Sequence, residues 1–141
     1  MKRKGTAVWT GGLKDGRGVT STESGVLNEA RYSFSTRFEG EKGTNPEELI
    51  GAAHASCFSM ALSGQLGKAG MSPERIQTTS TVTLDKVGEG FGVTGVHLDV
   101  TAKIPGGDAE KFQTAAKAAK EGCPISKLLN APITMDAKLE R

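Results

Sequence analysis

The sequence predicts an α+β fold, antiparallel sheets packed with two main helices, in the order βββ-α-ββ-α-β. Three observations predict it. The N-terminal part alternates β-forming residues with Gly and Asn turn signals. An uncharged stretch, Leu49 to Gly67, follows a strong helix-start signal. Beyond it, apolar and polar residues alternate on both sides of a glycine-rich turn. At 141 residues the chain is expected to form a single domain, residues 1–141, large enough to bury about two thirds of its unfolded surface.

In chain order, Thr6–Thr10, Gly18–Leu27 and Arg31–Glu39 read as a β-meander punctuated by Gly11-Gly12, Asp15-Gly16 and Asn28-Glu29. In the third segment Tyr32, Phe34, Thr36 and Phe38 share one face, which places Arg37 near a strand end on the other. Asn45 then suits an N-cap, Pro46 the first helical position, and Glu48 completes an approximate capping box. The helix so begun carries Ile50, Ala53, Cys57, Ala61 and Gly64 on one stripe. Its lack of charge predicts cover on nearly every side, more than one chain of this size supplies, so burial between two subunits is the expected solution. A hairpin follows, with Ile76, Thr78, Ser80, Val82 and Leu84 answered by Val96, Leu98, Val100, Ala102 and Ile104 across a turn at Gly88–Gly92. A second helix, about Asp108 to Lys120, aligns Phe112, Ala115, Ala116 and Ala119 with Cys123. Pro124 restarts a short helix through Leu129, and Ile133, Met135, Ala137 and Leu139 alternate as a last strand.

Composition narrows the function classes. Eighteen basic and sixteen acidic residues leave a net charge of +2, and no basic run exceeds Lys2-Arg3-Lys4. That balance argues against nucleic acid or an anionic membrane as partner, and 5% aromatic residues argue against a base-stacking platform. The N-terminal MKRKGTAVWTGG has no apolar core and does not read as a signal peptide. The uncharged stretch contains His54, Ser56, Ser59, Ser63, Gln65 and three glycines, so it reads as a buried helix rather than a membrane span. A cytoplasmic location is expected, where two cysteines stay reduced and any disulfide is transient and chemical.

Cys57 and Cys123 form no Cys-x-x-Cys motif. A zinc site from His54, Cys57, Cys123 and His97 lacks the usual ligand spacing, so no metal is expected and His54 reads as a hydrogen-bonded buried histidine. A cysteine peroxidase needs a thiolate to attack the O–O bond, a second thiol to condense with the sulfenic acid, and positive charge for the thiolate and the departing oxygen. Cys57, Cys123 and Arg37 suit those roles, with Glu47 orienting the guanidinium through a bidentate pair. Full ionisation of a thiol gains only on the order of 10- to 30-fold at neutral pH, whereas charge placed where negative charge develops is worth about 10²- to 10³-fold. Leaving-group stabilisation is therefore the expected main role of Arg37. Ten helical residues put Glu47 and Cys57 about 15 Å apart, so the simplest shared site pairs Arg37 and Glu47 of one subunit with Cys57 of another. Spacing alone leaves open a Cys57 that is merely a small buried hydrophobe and an Arg37–Glu47 pair that is an ordinary salt bridge.

The run STRFEGEKGTNPEELIGAAHASCFSMAL, Ser35 to Leu62, together with GVTSTESGVLN and GCPIS, resembles the OsmC branch of the OsmC/Ohr peroxidase family over essentially the whole chain. The resemblance implies an OsmC-like fold with the central helix buried in an intertwined homodimer. It implies a thiol-dependent peroxidase that reduces organic hydroperoxides, and hydrogen peroxide less efficiently, in defence against oxidative and osmotic stress. Cys57 matches the peroxidatic cysteine, Cys123 the resolving cysteine, and Arg37 and Glu47 the charged pair. Recycling by a dihydrolipoyl group or another small dithiol is implied, with neither metal nor flavin as cofactor. Phe38, Leu49, Ile50 and Met71 are apolar candidates for substrate contact. The competing class is a non-enzymatic homodimer that binds an apolar ligand at the subunit interface, its cysteines incidental.

Overall fold

A three-stranded antiparallel meander opens the chain: β1 (Gly5–Thr10), β2 (Arg17–Thr22) and β3 (Ala30–Tyr32), in that order across the sheet. The computed structural model describes residues 1–141 and divides into two compact units, Met1–Leu49 and Ile50–Arg141. In the first unit the rings of Trp9 and Tyr32 lie 5.6 Å apart between centroids. They meet over Gly18 of the middle strand, where a Cβ would come within 2.5 Å of the Tyr32 ring. β2 is shorter than predicted because the backbone closes on itself after Thr22: the Thr22 N–H donates to the Leu27 carbonyl, and the Leu27 N–H donates to Thr22 Oγ1.

The predicted third strand is also cut short, and here the sequence pattern misleads. Phe34–Phe38 form a short helix, α1. Ser33 Oγ accepts from the Thr36 N–H at 3.2 Å, and Thr36 Oγ1 accepts from the Ser33 N–H at 2.8 Å. This reciprocal capping box overrides the alternation of Tyr32, Phe34, Thr36 and Phe38, because it satisfies backbone donors locally. Arg37 therefore sits in the last turn of a helix instead of near a strand end.

α2 (Pro46–Lys68) begins in the first unit and runs through the second. Asn45 Oδ1 accepts from the Glu48 N–H at 2.8 Å, as the sequence predicts for an N-cap. The Glu48 carboxylate accepts from the Thr44 hydroxyl at 2.8 Å. In the second unit β4 (Arg75–Val87), β5 (Gly90–Lys103) and β6 (Ile133–Glu140) form the second sheet, with β5 in the middle. The β4–β5 turn is tighter than predicted: Val87 pairs with Gly90 and Asp85 with Gly92, which leaves only Gly88 and Glu89 between the strands. β6 runs parallel to β5, so this sheet is mixed and not wholly antiparallel. The physical reason is the connection, since α3 (Ala109–Gly122) and α4 (Pro124–Leu128) lie between the two strands and a crossover of that length returns the chain in the same direction.

The core of this unit is built from Phe58, Leu62 and Leu66 of α2, alternate residues of β5, and Phe112, Ala115, Ala116 and Ala119 of α3. The buried line of α2 is Gly51, His54, Phe58, Leu62 and Leu66. The predicted stripe lies beside it: Ile50, Cys57 and Ala61 are half-buried, and Ala53 and Gly64 are exposed. Rolling the large side chains inward removes more apolar area from water than rolling the small ones in would. One consequence is an uncharged outer line, Ala52, Ala53, Ser56, Met60, Ser63 and Gly64, left exposed by this chain alone. No helix is long and apolar enough to cross a membrane.

Gly51 sets the approach of α2 to the sheet, because a Cβ there would lie 3.0 Å from the Ser80 carbonyl oxygen. Gly51→Val should force the helix outward and lower stability by about 1–3 kcal/mol, read as a fall in the thermal midpoint by circular dichroism.

Candidate active site

Arg37 and Glu47 come together within the first unit. The Arg37 Nε donates to both carboxylate oxygens of Glu47 at 3.1 Å, and its Nη2 donates to Oε1 at 2.5 Å. Glu47 is buried and stands in the first turn of α2, where a carboxylate complements the exposed amides of the helix start. Two side-chain atoms of the guanidinium thus meet one carboxylate, a planar geometry that lysine cannot reproduce. The Arg37 guanidinium also lies 5.3 Å from the centre of the Phe38 ring, and Phe38 packs on Phe34 at 4.8 Å. Beside Arg37 is an apolar cavity of about 200 Å³ lined by Trp9, Leu13, Tyr32, Phe34, Phe38 and Pro46. Of these only Phe38 was predicted as a substrate contact; the others come from separate segments whose convergence only the fold produces. Leu49 and Ile50 are half-buried on the following turn of α2, and Met71 belongs to the core of the second unit.

Cys57 and Cys123 come together within the second unit. Their sulfurs are 2.9 Å apart, although 66 positions separate them in sequence. Cys123 is fully buried at the junction of α3 and α4, whereas Cys57 is half-buried on α2. Only Cys57 therefore offers its sulfur to an incoming molecule. Neither cysteine is in a disulfide, and at this distance the charge state of one thiol depends on that of the other. At Cys57, burial and then the hydrogen bond with Cys123 push the thiol up, with the Ile125 amide pulling the other way. At Cys123 burial opposes ionisation, but it is outweighed by the hydrogen bond with Cys57, the amide and hydroxyl of Ser126, and the Ile125 amide, which bring the thiol down. The surroundings thus favour ionisation of the buried Cys123 thiol over that of its half-buried partner.

His54 lies fully buried on the inner line of α2. Its Nε2 is 2.8 Å from Ser126 Oγ and its Nδ1 is 3.4 Å from Ser80 Oγ. The expectation of a hydrogen-bonded buried histidine holds. Its partners were not identified from the sequence; Ser126, three residues after the N-cap of α4, carries the only local signal. Burial lowers the His54 pKa. His97 stands apart from the cysteines, on the outer face of the second sheet, where its Nε2 is 3.4 Å from Asp99 and 3.2 Å from Asp136. The His54–Cys57–Cys123–His97 set weighed for zinc is therefore not assembled.

The family model described as OsmC-like protein matches residues 39–138. The chain is 57% identical over 140 residues to Peroxiredoxin OsmC of Escherichia coli (strain K12), covering 99% of this chain and 98% of that one. This chain belongs to the OsmC family. Within that family it is also 34% identical over 124 residues to the organic hydroperoxide resistance protein OhrB of Bacillus subtilis, spanning 87% of this chain and 88% of the other. The crystal structure of OhrB superposes with a TM-score of 0.69 and 26% identity, over 97% of this chain and 98% of that one. An OsmC-like protein from Mycoplasma pneumoniae shares the fold at a TM-score of 0.78 with 14% identity, covering 100% and 99% of the two chains. The α+β architecture with two sheets and few helices is thus that of OsmC-like proteins.

A pH dependence of stability follows from His54. The folded protein holds its pKa below the ordinary 6.5, so on acidification the unfolded chain takes up the proton first. Its contribution to stability is complete above pH about 6.5 and is lost as pH falls below that value towards the lower folded-state pKa. Chemical denaturation at a series of pH values should show this loss, and His54→Gln should flatten it.

Proposed function

We propose that this chain is a thiol-dependent peroxidase that reduces organic hydroperoxides, and hydrogen peroxide less efficiently, in defence against oxidative stress. The observation that carries the reading is the Cys57–Cys123 pair, an accessible sulfur 2.9 Å from a buried one. The kinship with Peroxiredoxin OsmC and OhrB supports it.

The Cys57 thiolate attacks one oxygen of the hydroperoxide; a sulfur–oxygen bond forms, the O–O bond breaks, and an alkoxide leaves and is protonated to the alcohol. Cys57 is now a sulfenic acid. The Cys123 sulfur attacks the Cys57 sulfur, the disulfide forms, and hydroxide departs. One thiolate, one thiol and one hydroperoxide have become a disulfide, an alcohol and a hydroxide ion, with two electrons passed from the sulfurs to the peroxide. A small dithiol such as a dihydrolipoyl group returns the disulfide to two thiols by exchange.

Arg37, held by Glu47, supplies positive charge to the departing oxygen, and the apolar cavity beside it takes the organic group of the substrate. Ten residues of continuous helix separate Glu47 from Cys57, about 15 Å along its axis. The reading therefore brings Arg37 and Glu47 of one subunit to Cys57 of its partner across a two-fold homodimer. The uncharged outer line of α2, with Met60 79% exposed, supports such a partner surface.

One equivalent of cumene hydroperoxide should convert the reduced protein to an intramolecular Cys57–Cys123 disulfide, seen by mass spectrometry as the loss of two hydrogens. Cys57→Ser should lose both this conversion and peroxide consumption; peroxide-inert wild type would leave the ligand-binding class. Arg37→Lys should retain the fold and lose about 10²-fold in turnover. Co-expressed Cys57→Ser and Glu47→Ala subunits should recover part of the activity in heterodimers, and no recovery would count against sites shared between subunits.

A further inference from the structure

One cluster of metal-ligating side chains lies outside the chemistry of the thiols. His97 and Asp99 share the outer face of β5, and the parallel register sets Thr134 beside His97 and Asp136 beside Asp99. The His97 Nε2 lies 3.4 Å from Asp99 Oδ1 and 3.2 Å from Asp136 Oδ2. The three donor atoms all fall within 4.8 Å of one another. At the other side of the ring, Nδ1 is 2.6 Å from Thr134 Oγ1. No lysine or arginine pairs with either carboxylate. Two negative charges thus converge on a single ring nitrogen.

We propose that His97, Asp99 and Asp136 form a binding site for a borderline divalent transition-metal ion such as zinc, bridging β5 and β6 on the outer face of the second sheet. Spacing is the first support. A tetrahedral ion with ligands about 2.0–2.1 Å away holds its donor atoms roughly 3.3–3.4 Å apart. The two distances from Nε2, 3.4 and 3.2 Å, match that edge, and rotation of the exposed carboxylates closes the remaining one. Charge is the second. Two carboxylates balance a dication, whereas a protonated imidazole brings them one positive charge. Orientation is the third. With the Nδ1–H donated to Thr134 Oγ1, the Nε2 lone pair faces the carboxylates, an unfavourable meeting that an ion turns into coordination. Metal-bound histidines are held in this way through their other ring nitrogen.

The donor set selects the ion. An imidazole with two carboxylates suits zinc and its first-row neighbours, while calcium and magnesium take oxygen ligands. Three protein ligands leave a fourth position for water, and the exposure of both aspartates opens that position to solvent. The site is separate from the peroxidase chemistry. Val96, Leu98 and Val100 point inward from β5 and are buried, whereas His97 and Asp99 alternate with them and point away from the core. No spacing within one segment announces the site, because its third ligand arrives from β6.

The two thiols also offer sulfur ligands to zinc, so the test reads the histidine ring and not total binding. The full chain, isotope-labelled at its histidine ring nitrogens, is titrated with zinc and followed by NMR; its two histidines are told apart by the signals lost in His97→Ala. The His97 Nε2 resonance should shift and saturate with one ion at submillimolar zinc, and magnesium should leave it in place. Thr134→Val, which removes only the orienting hydroxyl, should weaken binding about 10- to 100-fold. Asp99→Asn and Asp136→Asn, exposed changes that leave the core intact, should each weaken it at least as much. A His97 ring that zinc leaves unmoved would overturn the proposal and make the cluster a surface ion pair. So would undiminished binding in the doubly substituted Asp99→Asn, Asp136→Asn chain, which would reduce the site to a lone histidine, or an equal response to magnesium. Unchanged affinity in Thr134→Val would overturn the assigned ring orientation.

Discussion

Phe58, Leu62 and Leu66 lie on one line of α2 and are fully buried, and their burial fixes the roll of the helix about its axis. Each such side chain is worth about 1.5–3 kcal/mol when removed from water, while the small residues of the neighbouring stripe offer far less. The rest of the site follows from that roll. His54, one turn before Phe58, is carried to the inner side against Ser80 and Ser126. Cys57, adjacent to Phe58, is carried to the margin of the buried face, where its sulfur meets Cys123 and keeps some exposure. A turn of the helix in either direction would bury the accessible thiol or take it away from its partner.

The polar groups admitted to this interior are tied together. A neutral imidazole between two hydroxyls satisfies both ring nitrogens, and a buried hydrogen-bonding group left unmatched costs about 1–3 kcal/mol. Close approach makes the arrangement possible, since Gly51 lets α2 lie against the Ser80 backbone one turn before His54. The same constraint that seats the helix therefore also holds the histidine between Ser80 and Ser126.

The charged half of the chemistry is built by different physics. Arg37 and Glu47 are brought together by a short capped helix and by the start of α2, with aromatic rings around the guanidinium. Glu47 is buried while Arg37 remains partly exposed, which leaves the arginine free to present its remaining donors. The chain thus holds an oriented cation on one unit and a thiol pair on the other, and the length of helix between Glu47 and Cys57 motivates the shared-site reading of the family's chemistry.

Much of this was legible in the chain itself. The cap at Asn45 forms as predicted, as do the alternation of β4 to β6 and the apolar face of α3 that includes Cys123, because those signals depend on neighbours within a few residues. Local chemistry also explains a failure: the alternation from Tyr32 to Phe38 predicted a strand, and the Ser33–Thr36 capping box made a helix. The roll of α2 was misread because small and large residues were weighted alike on a helix that is uncharged from Leu49 to Gly67. By itself the sequence determined the helices, the strands and the reactive residue types, since propensity, capping and side-chain period act over short range. Tertiary structure alone decided the parallel pairing of β6, the inner line of α2, the 2.9 Å approach of two thiols and the partners of His54. Those depend on which distant side chains compete for one interior, a competition that no local segment records.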